Sequence, residues 1–231
     1  MNVIEVSNLS FRWPGQERPL LDIPSLTIRQ GEKVFLKGPS GSGKSSLLGL
    51  LAGITEPDAG EIILLEHPFS TLKPTRRDQF RANHIGYIFQ MFNLLPYLSV
   101  LDNVLLPCRF SPRRTQKLNG AMTQEARRLI KQLHLPESTL TQPINTLSIG
   151  QQQRVAAARA LIGQPELLIA DEPTSALDHD NREAFVQLLM DECDKSGTTL
   201  LFVSHDATLE PLFDRHLALN NLNRAAQRSA L

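Results

Sequence analysis

The stretch KVFLKGPSGSGKSSLLGLLAG (residues 33–53) decides the fold, because a strand-like apolar run leads into a glycine-rich turn and then into a helix-like apolar run. Its centre, GPSGSGKSS (38–46), fits the spacing G-x-x-x-x-G-K-[ST]. The glycines let backbone N–H groups approach phosphate closely. Lys44 can reach the β- and γ-phosphates of a nucleotide, and the Ser45 hydroxyl can ligate Mg²⁺. The stretch therefore predicts a nucleotide phosphate site between a strand and a helix.

Two later apolar runs end in residues suited to the same chemistry. ELLIADEP (166–173) is typical of a buried strand that ends in two acids. Asp171 suits a water-mediated Mg²⁺ contact, and Glu172 could polarise a water that attacks the γ-phosphate. TLLFVSH (199–205) brings His205 to the rim of the same sheet, where parallel sheets hold ligands. We expect His205 to sense the γ-phosphate; a purely structural histidine is the alternative.

A second anion site is predicted in NTLSIGQQQRVAAARAL (145–161), where a loop turns into a helix. Ser148 supplies a hydroxyl and Gly150 a bare backbone at the helix N-terminus, a position that favours negative charge. The residues alone do not explain why one chain of this size has two phosphate sites.

Composition limits the possible functions. The 231 residues include 24 Lys+Arg and 24 Asp+Glu, a net charge of +0, which argues against a protein that grips a nucleic-acid backbone. Cys108 and Cys193 have no redox or metal spacing, so we expect core residues in a reducing compartment. The N-terminus lacks a signal-peptide pattern, and the longest apolar run, at 47–54, is too short to span a bilayer. We expect a cytoplasmic protein that cannot form a membrane channel alone.

Apolar periodicity predicts an α/β fold with two clear helices. A helical pattern over 122–133 ends before Pro136, and a capping box at Asp180 and Glu183 begins a helix that Gly197 ends. Strands are expected at 3–6, 26–28, 34–37, 62–65, 85–89, 167–170, 199–203 and 217–219.

Six motifs stand in the order seen in ABC-family ATPases, and the chain resembles that family from residue 3 to about residue 219. The motifs are the phosphate loop at 38–45, Gln90 after IGYIF, LSIGQ at 147–151, LLIADE at 167–172, SALD at 175–178 and His205.

The resemblance implies one ABC ATPase domain over 1–231: a P-loop NTPase core with a mixed sheet flanked by helices, an inserted α-helical lobe and an N-terminal antiparallel β part. The core would comprise 1–90 and 146–220. The segment 91–145, which has five prolines and no strand pattern, would form the helical signature-containing lobe. Residues 221–231 would form a tail.

The resemblance also explains the two anion sites, because in this family two copies pack head to tail around two ATP molecules. The Ser148 loop would meet the γ-phosphate held by Lys44 of the partner subunit. The expected catalytic residues are Glu172, His205 and Gln90, and the expected Mg²⁺ residues are Ser45, Gln90 and Asp171. The expected nucleotide-binding residues are Trp13, Gly38, Pro39, Ser40, Gly41, Ser42, Gly43, Lys44, Ser45, Ser46, Ser148, Gly150, Gln151 and Asp178.

Some of these roles follow from the family resemblance residue by residue. Gln90 would contact Mg²⁺ and link the site to the helical lobe, and Asp178 would cross the dimer interface. Trp13 would stack on adenine, although Phe11 lies on the same strand face and strand parity cannot choose between them. Two positions depart from the family. Ile149 replaces a glycine between the two groups expected to touch phosphate, so we expect binding to survive, and Ser46 replaces a threonine while keeping its hydroxyl.

The resemblance is strongest to ATPases that release lipoproteins or export macrolides and peptides. It implies a separate transmembrane permease as partner, a location on the inner face of the cell membrane and no nucleic-acid partner. Residues 91–107 would dock the permease; lobe core is the alternative. A basic cluster (Arg109, Arg113, Arg114 and Lys117) could face anionic lipid, but a solvated loop is the simpler interpretation. The alternative functions are control of a non-transporting membrane partner, such as a cell-wall or division protein, and action on ribosomes.

Overall fold

Two sheets form the framework of the protein. The computed structural model describes residues 1–175, 177 and 179–228, without the side chains of 179, 180, 227 and 228. Elements are numbered in chain order. The antiparallel sheet contains β1 (Asn2–Phe11), β2 (Leu21–Arg29), β4 (Ala59–Leu64) and β5 (His67–Pro68). Its strand order is β2-β1-β4-β5, and Val6 of β1 stands opposite Leu26 on one side and Ile62 on the other.

The second sheet is parallel and has the strand order β6-β7-β8-β3-β9. Its strands are β3 (Lys33–Lys37), β6 (Ile85–Ile88), β7 (Leu167–Asp171), β8 (Thr199–Val203) and β9 (Arg215–Ala218). Every residue of β7 and β8 is buried, as expected for strands whose sequence is continuously apolar. Leu36 and Asp171 both stand in register with Val203. The carboxyl ends of β3, β7 and β8 therefore lie level at one edge.

Helices pack against the parallel sheet and occupy the segment between β6 and β7. They are α1 (Lys44–Leu51), α2 (Pro74–His84), α3 (Val100–Phe110), α4 (Pro112–Lys117), α5 (Met122–Gln132), α6 (Ile149–Leu161), α7 (His179–Ser196), α8 (Leu219–Leu222) and α9 (Arg224–Arg228). Short 3₁₀ helices lie at Phe69–Thr71, Glu137–Thr139, Ile144–Thr146 and Ala207–Leu212. Within the described ranges, no helix is long and apolar enough to cross a membrane.

The expected fold class is confirmed: an antiparallel β part at the N-terminus joins a parallel sheet with helices, and the segment 91–145 is helical. The expected strands are present, but β9 ends at Ala218 and a helical turn follows where a strand was expected. Helix α7 begins at His179, just before the expected start at Asp180. Helix α2 was not predicted. The division into core and lobe stays a prediction; α6 packs against both α3 and β6.

The core divides into two groups of buried apolar side chains. One lies between the antiparallel sheet, α1 and one face of the parallel sheet, and the other joins the opposite face to α3, α5, α6 and α7. Both cysteines belong to the second group, where Cys193 is 0% and Cys108 is 7% exposed. Their expected role as core residues is confirmed, and burial raises the pKa of both thiols.

The basic cluster of Arg109, Arg113, Arg114 and Lys117 lies on α3 and α4 and not in a loop. Arg109, Arg113 and Lys117 are exposed, as the simpler interpretation expects, but Arg114 is buried. Arg114 is 2% exposed, and burial lowers its pKa to about 10. Its guanidinium donates to four backbone carbonyls, those of Ala82 (2.8 Å), Ile85 (2.7 Å), Ala160 (3.3 Å) and Ile162 (2.8 Å). Arg114 thus ties α4 to the end of α2 and to the end of α6.

Glu166, just before β7, receives the neighbouring charges. Lys117 Nζ lies 3.0 Å from Glu166 Oε1, His84 Nδ1 lies 3.1 Å from Oε2, and Arg113 donates to Oε1 as well. Burial alone would raise the pKa of Glu166, but the hydrogen bonds from these three side chains outweigh it and lower the pKa. Glu166 and these three side chains therefore connect α2 and α4 to the start of β7.

We expect Arg114→Lys to destabilise the fold by about 3 kcal/mol, because a lysine cannot satisfy four buried carbonyls from one position. Urea denaturation at neutral pH measures this free energy of unfolding. The matched control is Arg109→Lys, an exposed arginine paired with Asp102, which should cost less than about 1 kcal/mol. Equal losses in the two variants would contradict the role given to Arg114.

Candidate functional site

A cavity of about 390 Å³ opens where the parallel sheet meets the hairpin between β1 and β2. It gathers the glycine-rich loop, the end of β7 and the segment after β6. The lining residues are Trp13, Leu20, Ser40, Gly41, Gly43, Lys44, Ser45, Ser46, Gln90 and Glu172. Residues as far apart in sequence as Trp13 and Glu172 meet here. The groups that follow β3, β6 and β7 come together because parallel strands end at the same edge.

The glycines of the loop are required by its geometry. Gly41 and Gly43 have φ angles of 76° and 97°, which L side chains rarely adopt. A Cβ at Gly43 would also lie 2.8 Å from Leu21 Cδ2. Since α1 begins directly after Gly43, the loop presents backbone N–H groups and a helix N-terminus to the cavity, an arrangement that favours phosphate.

Lys44 lies inside this loop, 8% exposed. Its ammonium donates to the carbonyls of Gly38 (2.8 Å) and Pro39 (3.0 Å). The Ser42 hydroxyl is buried and has no hydrogen-bond partner among the described residues. A buried donor without a partner is costly. A phosphate oxygen bound in the loop would accept the hydrogen bond from this hydroxyl.

Glu172 stands between the lysine and the histidine. Its Oε1 lies 3.9 Å from Lys44 Nζ, and its Oε2 lies 3.4 Å from His205 Nδ1. Its φ is 46°, a left-handed backbone that costs energy for a non-glycine residue. The Glu172 N–H nevertheless donates to Val203 O at 2.9 Å. The strained turn carries the chain away from β7 and aims this carboxylate into the cavity, while Asp171 stays in the strand.

Asp171 is 8% exposed and accepts a hydrogen bond from the Ser45 hydroxyl. Burial and the neighbouring Glu172 raise the pKa of Asp171, although Ser45 and Lys44 act in the opposite direction. Hydroxyl and carboxylate oxygens are the ligands that Mg²⁺ prefers. Ser45, Asp171 and Gln90 are therefore chemically suited to the metal that the sequence predicts.

The structure distinguishes Trp13 from Phe11. Phe11 is 5% exposed in the core, whereas Trp13 is 42% exposed and lines the cavity. The two rings meet edge to face with centroids 5.1 Å apart, so Phe11 supports one side of Trp13. Leu20 also lines the cavity and was not expected; its N–H donates to Phe11 O at 2.8 Å, a pairing that the sequence did not signal.

The second predicted anion site lies elsewhere on the chain. Ser148 caps α6: its Oγ accepts from the Gln151 N–H at 3.3 Å, and Gln151 Oε1 accepts from the Ser148 N–H at 2.9 Å. Ser148 is exposed, and Ile149 is 58% exposed. None of Ser148, Gly150 and Gln151 lines the cavity around Lys44. The role of Gln151 in the structure is to hold the loop.

Of the remaining expected site residues, three line a neighbouring cavity and one lies outside the described residues. Gly38, Pro39 and His205 line an adjacent cavity of about 400 Å³ behind the loop, and His205 reaches the main cavity through Glu172. Asp178 lies outside the described residues. The structure thus gathers the P-loop set, Trp13, Gln90 and Glu172, and it keeps the Ser148 loop apart from them.

The fold and this cavity define a P-loop ATPase. The chain matches the ABC transporter family over residues 21–175. It is 39% identical to the uncharacterized ABC transporter ATP-binding protein YbbA of Escherichia coli, over 95% of this chain and 95% of YbbA. It is also 39% identical to the lipoprotein-releasing system ATP-binding protein LolD of Syntrophotalea carbinolica, over 94% of this chain and 95% of LolD. The chain belongs to the ABC transporter family and is an ABC ATPase.

A solved structure similar to this fold is the ATP-binding cassette MJ0796 of Methanocaldococcus jannaschii. The two structures align with a TM-score of 0.84 at 34% identity, over 96% of this chain and 95% of MJ0796. That structure is a dimer in a post-hydrolysis state bound to ADP and Pi.

We expect Trp13→Ala to weaken ATP binding roughly 5- to 150-fold, because stacking of a base on an aromatic ring contributes about 1–3 kcal/mol. Isothermal titration calorimetry with the isolated chain measures the affinity. The control Phe11→Leu keeps an apolar core residue and should change the affinity less than about twofold, since Phe11 only supports Trp13. A larger effect from Phe11→Leu than from Trp13→Ala would reverse the assignment.

Proposed function

We propose that this chain is the ATP-hydrolysing subunit of a transporter, which closes as a head-to-tail dimer on two ATP molecules and drives a separate membrane permease. The observation that carries the proposal is the separation of the two phosphate-binding loops. The cavity around Lys44 is open and lacks any contribution from its own Ser148 loop. A second copy in head-to-tail arrangement would supply that loop.

The dimer has support from the similar cassette MJ0796, which is dimeric with ADP and Pi bound. In the proposed arrangement, the Ser148 hydroxyl and the Gly150 N–H of one copy contact the γ-phosphate on the partner's P-loop. The capping box holds this loop in one conformation before ATP arrives, which reduces the entropy lost on closure. Asp178 would cross the same interface. Ile149 points its side chain to solvent, so it leaves both phosphate-binding groups accessible.

The residues of the cavity have distinct proposed roles. Trp13 stacks on adenine, the glycine-rich loop with Lys44 holds the phosphates, and Ser46 adds a hydroxyl. Ser45, Gln90 and Asp171 would hold Mg²⁺, which neutralises phosphate charge when bound. Glu172 orients and polarises the attacking water, and His205 contacts the γ-phosphate while it restrains Glu172. The short distance between Glu172 and Lys44 supports this division, since both reach the same phosphate.

A groove of about 490 Å³ between α2, β6 and α3 is the proposed permease site. Its apolar lining includes Tyr87, Phe89, Pro107 and Phe110. Phe110 is 68% exposed, a large apolar surface of the kind that marks binding sites. An amphipathic permease helix would fit such a groove. The chain would then lie in the cytoplasm on the inner face of the cell membrane.

The stretch 91–107, expected to dock the permease, contains both buried and exposed residues. Val100 and Val104 are fully buried in the core, whereas Met91 is 82% and Tyr97 is 78% exposed. Leu106 and Pro107 line the groove. We propose that the exposed residues contact the permease. The similarity to LolD supports export or extraction of lipoprotein, peptide or other hydrophobic cargo.

The test uses the Glu172→Gln variant, which should bind ATP and hydrolyse it at least about 100-fold more slowly than the wild type. The tagged variant is used for affinity capture from native membranes in the presence of ATP. We expect one polytopic permease to co-purify, as identified by mass spectrometry. Adding Phe110→Asp should abolish its recovery, because a buried carboxylate in the groove is costly, while ATP binding is retained.

Lys44→Ala serves as the nucleotide-free control for this capture. Recovery of soluble proteins only, with no membrane protein above the Lys44→Ala background, would contradict the transport proposal. Recovery of a permease that survives Phe110→Asp would contradict the groove. A membrane partner without a transport pathway would favour control of a cell-wall or division protein.

A further inference from the structure

Arg182, on α7, bridges two segments that the ATPase site uses. Its Nε donates to the carbonyl of Leu177 at 2.9 Å, and its Nη1 donates to Asp206 Oδ2 at 2.8 Å. The side chains of Arg182 and Asp206 are 30% and 12% exposed. A planar guanidinium can hold both partners in fixed directions at once, which a lysine ammonium does less well.

Asp206 fixes the loop that follows β8 and carries His205. Its Oδ1 accepts from the Thr208 hydroxyl at 2.6 Å and from the Thr208 N–H at 3.1 Å, and its own N–H donates to Ser204 Oγ at 3.1 Å. Hydrogen bonds from Thr208 and Arg182 lower the pKa of Asp206 to about 2. The carboxylate is therefore charged at neutral pH, and the backbone on both sides of His205 is held.

Leu177, the other partner of Arg182, lies against the Ser148 loop. Leu177 Cδ2 lies 3.4 Å from the point where a Cβ on Gly150 would stand, so the two residues are neighbours even though glycine has no atom at that point. A movement of the α6 N-terminus would therefore displace Leu177, whose carbonyl accepts the hydrogen bond from Arg182.

These neighbouring residues form one path between the Ser148 loop and the cavity around Lys44. At its far end, His205 lies 3.4 Å from Glu172, which lies 3.9 Å from Lys44. Along the path the residues are Gly150, Leu177, Arg182, Asp206, His205 and Glu172.

We propose that Arg182 and Asp206 are a positioning pair that couples the Ser148 loop to Glu172. The inference rests on the proposed dimer, in which the Ser148 loop contacts the partner's nucleotide. Closure of that loop on the partner's γ-phosphate shifts Leu177, and the pair carries the shift to the His205 loop. Engagement of its Ser148 loop thereby improves the alignment of each copy's own Glu172, by the same factor of about ten that loss of the pair would remove. Neither Arg182 nor Asp206 lines the cavity around Lys44.

The test compares Arg182→Gln, Asp206→Asn and the double variant. We expect kcat for ATP hydrolysis to fall about tenfold in each single variant while KM changes less than about twofold, because binding is retained and alignment is lost. The kcat of the double variant should lie within about twofold of the kcat of the single variants, since the two residues act as one unit. In the Glu172→Gln background, ATP-driven dimerisation should persist in all three, as measured by analytical ultracentrifugation.

Arg128→Gln is the matched control, because Arg128 is also a partly exposed arginine that links two carboxylates, those of Glu125 and Glu192, away from the path. Its kcat should stay within about twofold of the wild type. The proposal is overturned if Arg182→Gln resembles this control, if the losses of the singles multiply in the double, or if dimerisation is lost with kcat. Failure of the Glu172→Gln parent to dimerise would instead contradict the dimer itself.

Discussion

The function depends on one constraint, the parallel register that ends β3, β7 and β8 at the same level. Each strand then delivers a different group to one edge: the glycine-rich loop follows β3, Asp171 ends β7 with Glu172 directly after it, and His205 follows β8. Parallel sheets of this kind bind ligands beyond the carboxyl ends of their strands. A slip of one residue in β7 would turn Asp171 to the other face of the sheet, so the position of this buried carboxylate depends on the register. The direction of Glu172 depends on the left-handed turn that follows the strand.

Backbone strain at this edge is concentrated where it positions chemical groups. The positive φ angles at Gly41 and Gly43 cost little because glycine has no Cβ. The positive φ at Glu172 is costly, and the buried strands and the hydrogen bond to Val203 hold it in place. Arg114 and Glu166 have a different role, which is to attach α4 to α2, α6 and the parallel sheet.

Much of this arrangement could be predicted from the sequence, since strand runs and the glycine spacing are local signals. Helix α2 could not be found by apolar periodicity, because its sequence PTRRDQFRANH buries only Arg77 and Phe80; Pro74 at its first position was the available signal. The burial of Arg114 could not be predicted either, because its four carbonyl partners come from segments distant in the chain. Strand parity left Phe11 and Trp13 equivalent, and only tertiary packing separates them.

The central claim is that the Ser148 loop acts on the nucleotide of a second copy. Mixing Lys44→Ala chains with Ser148→Ala chains tests it, because each variant alone lacks one half of both composite sites. In a mixed dimer, one of the two sites has both an intact Lys44 and an intact Ser148. The account predicts that the mixture recovers up to about a quarter of wild-type ATPase activity, as half of random dimers are mixed and each has one intact site. A mixture as inactive as its components would contradict the claim.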